Sequence, residues 1–341
     1  MEHMQSFDQI KVLADPHRLA ILRLLMVEPA TLTQLGRVLG HHPAWVRHHV
    51  KQLEGAGLVE MYSAQITGGY VEKYYRARAA AFWLQQMILP EAPGMNHLVL
   101  MGSDDLALSA LAHSATERLG MRLIIQPVGS LDGLIALRQG MAQISACHLL
   151  DIPSGEYNLP YVRHIFPDRA VGLVTLAHRQ QGLLVAEGNP LRIQGIADLV
   201  REDVTLVNRN RGSGTRLWLD QQLSQLGIAP DQVRGYSQEV HTHRETAQAI
   251  LGGQADAGLG LLAAARQAGP ASPTARLASP AARLGFIPLL QERFDLVLPA
   301  SEIQTPAVQT LLEYLNSAEA RHLITSLEGY DTAHTGEMLI P

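Results

Sequence analysis

The chain is 341 residues long, 47% hydrophobic and 17% charged, which excludes a disordered polypeptide and suggests two or three domains at roughly 150 residues each. A single cysteine, Cys147, excludes disulfides and cysteine-rich zinc modules. The net charge of −5 argues against wholesale nucleic-acid coating, yet residues 1–95 hold 9 Lys and Arg against 8 Asp and Glu with 6 His, and the remainder 18 against 24. With no apolar run near 18 residues and no signal-like start, a soluble cytoplasmic protein without a membrane partner is expected.

In chain order, residues 6–28 read as two helices broken at Asp15-Pro16, with Leu19, Leu22 and Met26 forming a buried stripe. A short helix carries Leu32, Leu35 and Leu39, capped by Thr31 or Thr33. Pro43 opens a further helix reaching Glu54, stopped by Gly55 and Gly57. Strands over 58–64 and 70–76 meet across Gly68-Gly69, a hairpin signal. A last helix is expected over 79–89. Residues 1–90 thus form one domain, 91–96 a linker and 97–341 the rest.

On a helical wheel the fourth helix buries Val46, Val50 and Leu53. Ala44, Arg47, His48 and Lys51 point the other way, with Gln52 and Trp45 on the flank. Basic and amide side chains on an aliphatic-anchored helix suit a major groove. His49 falls toward the buried side, as a structural residue. Thr67 at the hairpin tip, with Lys73 and Arg76 on its second strand, would touch the DNA backbone as a wing. A solvated amphipathic helix is the plain alternative for one helix, but the order of elements favours a DNA reader. Adjacent histidine pairs, His41-His42 and His48-His49, point about 100° apart on a helix and chelate poorly, so no metal is expected.

From residue 97 the rhythm becomes strand, small-residue loop, helix. Strands are expected over 97–101, 122–128, 143–148, 170–177, 204–208, 255–260, 284–288 and 293–298. Helices follow Gly102-Ser103-Asp104 and Gly129-Ser130, cover 242–251, and fill 305–327. Residues 150–168 read as irregular and 269–282 as a loop. Such alternation implies a mostly parallel sheet.

Three loops end a strand and start a helix, where free N–H groups favour anions. The richest is Arg209-Asn-Arg211-Gly212-Ser213-Gly214-Thr215-Arg216. It lacks P-loop spacing, no dinucleotide fingerprint or Gly-x-Ser-x-Gly elbow occurs, and no catalytic set is recognisable, so neither an enzyme nor a cofactor is expected. Cys147, in an apolar strand, reads as a small buried residue.

Two resemblances follow. Residues 14–22, Leu32-Thr-Gln-Leu35, 46–54, Gly57-Leu58-Val59 and Tyr74-Tyr75-Arg76 resemble the arsenic-repressor (ArsR) type of winged helix-turn-helix regulator, implying a homodimer on pseudo-palindromic operator DNA. The cysteine pair of its metal-sensing members is missing. His148-Leu-Leu-Asp151, Gly155-Glu-Tyr-Asn158, residues 207–216 and Gly329-Tyr-Asp-Thr332 resemble periplasmic-binding-protein-like domains related to molybdate and tungstate binding proteins. Together they imply a multidomain chain, a mainly-α winged helix-turn-helix followed by a two-lobed α/β type II periplasmic-binding-protein-like domain. One lobe spans about 97–175 and 285–341, the other about 178–265. Ser103, Ser130, Ser213, Gly214 and Thr215 would hold a small anionic ligand, molybdate or tungstate being favoured. Arg209, Arg211 or Arg216 would neutralise it, though not all three can point inward. Gly212 shapes the loop, and Tyr157, Asn158, Tyr236, His241 and His243 are weaker candidates. Asp104 fits an anion site poorly; it could cap its helix or meet an amine or hydroxyl. The implied function is a ligand-sensing transcription factor. The alternative is a molybdenum-cofactor enzyme or pterin-binding protein with an appended winged helix.

Overall fold

The computed structural model describes residues 2–4, 7–67, 70–84, 96–268 and 283–340. The chain divides into two compact units, Met1–Pro90 and Glu91–Pro341. Among the described residues no helix is long and apolar enough to cross a membrane.

The first unit runs β1 (Glu2–Met4), α1 (Phe7–Leu13), α2 (Pro16–Val27), β2 (Ala30–Thr31), α3 (Leu32–Leu39), α4 (Pro43–Gly55), β3 (Val59–Thr67), β4 (Tyr70–Ala77) and β5 (Phe82–Leu84). Local chemistry sets each helix start. Asp15 accepts the backbone N–H groups of His17 and Arg18 ahead of α2, and Thr31 with Gln34 makes a capping box on α3. Ile21, Leu22, Leu25, Leu35, Val46, Val50, Leu53, Leu58, Val59 and Tyr75 form its core. The hairpin β3–β4 pairs antiparallel and takes β2 on its other edge. The helix expected over 79–89 is not found: Phe82–Leu84 is instead a strand lying parallel to Glu2–Met4. Backbone pairing with Glu2–Met4 outweighs the helical preference of Ala79, Ala80 and Ala81, and the aromatic Phe82 and Trp83 suit a strand. Residues 85–89 of that expected helix, the hairpin tip Gly68-Gly69, the expected linker up to 95 and the 269–282 loop lie outside the described residues.

The second unit runs β6 (Asn96–Gly102), α5 (Leu106–Leu119), β7 (Met121–Pro127), α6 (Ser130–Arg138), β8 (Ile144–Cys147), β9 (Leu150–Asp151), β10 (Glu156–Tyr157), α7 (Leu159–Ile165), β11 (Val171–Val185), β12 (Leu206–Arg209), α8 (Gly214–Gln225), β13 (Glu239–Val240), α9 (His243–Leu251), β14 (Ala257–Leu261), α10 (Leu262–Gln267) and β15 (Gly285–Pro299). After a one-turn helix at Ala300–Ile303 come α11 (Pro306–Leu315), α12 (Ala318–Thr325), β16 (Tyr330–Asp331) and β17 (Met338–Leu339). The main sheet is ordered β13-β12-β14-β11-β15-β8-β6-β7, with β16 and β17 also on β11.

Parallel groups, β7-β6-β8 and β13-β12-β14, flank an antiparallel pair of 15-residue strands, β11 and β15. Each long strand crosses from one group to the other. Val297 pairs with Ser145 of β8 near one end, and Leu183 with Leu259 of β14 near the other. The sequence suggests separate strands over 284–288 and 293–298; they are one strand, and the strand expected over 170–177 continues to Val185. The polar residues between the apolar runs are not breaks. They are His178, Arg179, Gln180 and Gln181 opposite Leu290 to Arg293, a polar belt across the middle of the sheet. The 150–168 segment, expected to be irregular, holds the small β9–β10 hairpin and α7.

Candidate functional site

In the first unit α4 presents Ala44, Arg47, His48, Lys51 and Gln52 to solvent while Val46, His49, Val50 and Leu53 are buried. Lys51 pairs with Glu54 at 2.6 Å, a local surface ion pair. On β4, Lys73 is exposed and Arg76 pairs with Glu60 at 2.7 Å. Thr67 ends β3 at the hairpin tip. Trp45 does not join the exposed row. Half-buried, it stacks on His41 at 3.8 Å between ring centroids and lies 4.1 Å from His49 and 5.0 Å from His17. An indole has too much apolar area to stay wet when such rings are at hand.

In the second unit the loops after β6, β7 and β12 converge on the polar belt of β11 and β15. Asp105 caps α5 by accepting Leu108 N–H at 2.7 Å. Asp104 does not cap its own helix: its Oδ2 accepts the His243 N–H, the first of α9, at 2.9 Å. Burial pushes the Asp104 carboxyl above its usual value against the pull of Arg209. Leu131 N–H donates to Gly212 O at 3.0 Å, and Asn210 Nδ2 to Val128 O at 3.1 Å, so the β7–α6 and β12–α8 loops are tied together. Gly212 sits at φ +80°, and a Cβ on Gly214 would stand 2.4 Å from His148 O; both positions need glycine for this approach.

Beneath those loops lies a buried charged cluster. Arg179 Nε donates to Glu292 at 2.8 Å and its Nη1 to Asp105 at 2.5 Å; Tyr330 OH donates to the same Asp105 oxygen at 2.6 Å. The guanidinium lies 4.1 Å over the Phe294 ring. Burial works against the Arg179 charge, but Glu292 and Asp105 outweigh it and raise its pKa. Arg209 has no such carboxylate. Its Nη2 donates to His241 O at 2.8 Å, while Nε and Nη1 have no partner. Burial, with repulsion by Arg179, lowers Arg209 to about 10 against the attraction of Asp104, and it is still a cation at neutral pH. Arg179 Nη2, Gln181 Nε2 and both ring nitrogens of His243 are likewise buried without partners. Burial, then the two arginines, holds His243 well below its ordinary value, hence neutral. Uncompensated buried donors are costly, and an acceptor-rich guest would satisfy them.

The sequence candidates divide accordingly. Ser103 Oγ lies 2.8 Å from His148 Nε2, and Ser130 Oγ accepts the His148 N–H at 3.2 Å. Thr215 donates to Gln181 at 2.7 Å. Ser213 caps α8, accepting the Arg216 N–H and donating to Asn210 O. Tyr157 is partly buried and has its hydroxyl pKa raised by burial and by Glu292. The other candidates are engaged elsewhere. Arg211 is 88% exposed beside Glu239. Arg216 is buried but satisfied by Asp220 and by the carbonyls of Arg209 and Tyr236, and it stacks 4.0 Å over the Tyr236 ring. Tyr236 OH donates to Asp220, and Asn158 is used by Leu149 N–H and Asp295. His241 is exposed; its carbonyl accepts from Arg209 and its N–H donates to Glu245. His243, by contrast, is buried at the start of α9. Among the described residues no three His, Cys, Asp or Glu side chains are grouped to hold a metal. Cys147 is buried in β8, where burial raises its thiol pKa.

Sequence reasoning missed Arg179, Gln181, His148 and Glu292 as site residues. A visible signal existed: Arg179 and Glu292 each interrupt a long apolar run, and a charge inside a buried strand must find a partner.

A helix-turn-helix domain model matches residues 13–62, and a PBP superfamily domain model matches residues 111–316. The uncharacterized protein YvgK of Bacillus subtilis (strain 168) is 34% identical over 242 residues, 71% of this chain and 73% of that protein. Among solved structures, a putative phosphate ABC transporter substrate-binding protein from Clostridium perfringens with bound phosphate aligns at 16% identity. It covers 69% of this chain and 98% of its own, with a TM-score of 0.46. The tungstate ABC transporter of Geobacter sulfurreducens aligns at 10% identity over 67% of this chain and 98% of its own, with a TM-score of 0.45. With more than half of its length matched by that one model, and a helix-turn-helix domain ahead of it, the chain belongs to the PBP superfamily.

Proposed function

We propose that the protein is a one-component transcriptional regulator that binds operator DNA as a homodimer through α4 and senses a small anion in the cleft of its second unit. The observation that carries the sensor half is the set of buried, unpartnered donors: Arg209 Nε and Nη1, Arg179 Nη2 and Gln181 Nε2. A guanidinium edge without an acceptor matches an oxyanion or carboxylate, which would restore the missing hydrogen bonds and offset the cost of burying Arg209. Tetrahedral oxyanions of the molybdate and tungstate kind are the first candidates. Ligand and operator need differ in affinity for two states by only about 1–3 kcal/mol to couple.

The test is a thermal-shift panel of molybdate, tungstate, sulfate, phosphate and small carboxylates, paired with mobility shifts on an operator selected from random duplexes. A ligand at 100 times its Kd stabilises by about 2.7 kcal/mol. Arg209→Met should abolish the ligand shift and leave operator binding intact; Arg47→Ala should do the reverse. Stabilisation by no anion, or loss of both properties in each folded variant, overturns the reading.

A further inference from the structure

Ser103 follows β6 at a strand-to-helix turn ahead of α5. Its Oγ lies 2.8 Å from His148 Nε2, and His148 Nδ1 lies 2.8 Å from Glu292 Oε2. All three residues are buried. Burial would raise the Glu292 carboxyl, but His148 and Arg179 outweigh it and hold it below its usual value, so it is ionised. An ionised carboxylate only accepts, which puts the imidazole proton on Nδ1 and leaves Nε2 to accept from the Ser103 hydroxyl. Arg179 fixes the other Glu292 oxygen at 2.8 Å and thereby the orientation of the carboxylate. A hydroxyl, a neutral imidazole and an anchored carboxylate in this order are the parts of an activated nucleophile, recognised by geometry and role.

We propose that Ser103, His148 and Glu292 form a nucleophile–base–carboxylate relay that hydrolyses small carboxylic esters bearing an anionic group. The anionic group is held by the unpartnered donors of Arg209 and Gln181, and entry requires the Leu131–Gly212 and Asn210–Val128 hydrogen bonds to open. Ser103 Oγ attacks the acyl carbon and its proton passes to His148 Nε2, while the ionised Glu292 accepts the Nδ1–H hydrogen bond and stabilises the imidazolium. The carbon–oxygen bond to the alcohol breaks, and the alcohol leaves with the proton from Nε2. Water then attacks the acyl-serine, delivering one proton through His148 back to Ser103 and releasing the acid. The net reaction is ester plus water to acid plus alcohol.

The full chain is incubated with diisopropyl fluorophosphate and mapped by peptide mass, and assayed with 4-nitrophenyl hydrogen succinate. The expected result is a stoichiometric adduct on Ser103, with nitrophenolate release lost in Ser103→Ala and slowed about 100-fold or more in His148→Gln with an unchanged circular dichroism spectrum. The adduct on the unaltered chain needs no variant to fold. An unmodified Ser103 peptide after prolonged incubation, or equal ester cleavage by folded Ser103→Ala, overturns the relay. The proposal shares the cleft with the sensor reading but can fail separately. Anion stabilisation without adduct or cleavage leaves the sensor and removes the relay; an adduct with no anion shift does the opposite.

Discussion

The two units handle charge in opposite ways. On α4 of the first unit the basic side chains stand in solvent, and Lys51 finds Glu54 three positions away. In the second unit Arg179 is sealed in the sheet and its carboxylates come from positions 105 and 292. An exposed pair close in sequence contributes little to folding and leaves its charge free for a partner. A buried network contributes organisation, and removing one member strands the others. Where the first unit can lose a surface charge and lose only function, the second should lose stability when a member of the Arg179–Glu292–Asp105 network is removed.

The largest expected effect tests that contrast directly. Arg179→Met leaves the Glu292 and Asp105 carboxylates buried without their paired cation and should destabilise the second unit by about 3–5 kcal/mol, read by urea unfolding. Unfolding at the wild-type urea midpoint would mean the cluster is not an electrostatic keystone.

Next comes pH. His148 and His243 are both held below their ordinary value of 6.5, burial being the first cause in each. The unfolded chain therefore binds more protons than the native one once the pH drops below about 6.5. Stability present above that pH is lost progressively on acidification, by about 1.4 kcal/mol per pH unit for each histidine. In the first unit His49 shifts the same way, but it is one group. The second unit should thus show the steeper loss between pH 7.5 and 5.5, and His243→Asn should flatten it. Equal slopes in the two units, measured by urea unfolding across that range, would count against the buried histidines.

The smallest effect lies in the first unit. Asp15→Ala removes the side-chain acceptor at the start of α2 and should cost about 1 kcal/mol, without altering the urea midpoint of the second unit. A loss as large as that of Arg179→Met would erase the distinction between local and long-range construction.

That distinction also explains what could be read early. The helices α1 to α4, the hairpin after them and the buried side of α4 were legible because periodicity, caps and turn residues act within a few positions. The flank position of Trp45 was legible on the helical wheel, but its ring partners His17 and His41 were not, since both lie outside α4. The strand Phe82–Leu84 was misread because its partner Glu2–Met4 lies at the other end of the unit. In the second unit, the glycine-serine loop was visible as a motif suited to a ligand. Which of its arginines faces inward was not, since Arg209, Arg211 and Arg216 are alike in chemistry and differ in what surrounds them.

By itself, the amino-acid sequence determined the two-part organisation, the DNA-reader pattern and the alternation that builds an α/β sheet. These follow from short-range spacing of apolar residues, glycines and caps. The tertiary structure alone decided the site. Ser103 meets His148 across 45 positions, His148 meets Glu292 across 144, and Tyr330 reaches Asp105 across 225. Two of these pairs are anchored at the crossing strands, Glu292 on β15 and Tyr330 on β16 beside β11, and burial there turns a polar belt into a charged, hydrogen-bonded cluster.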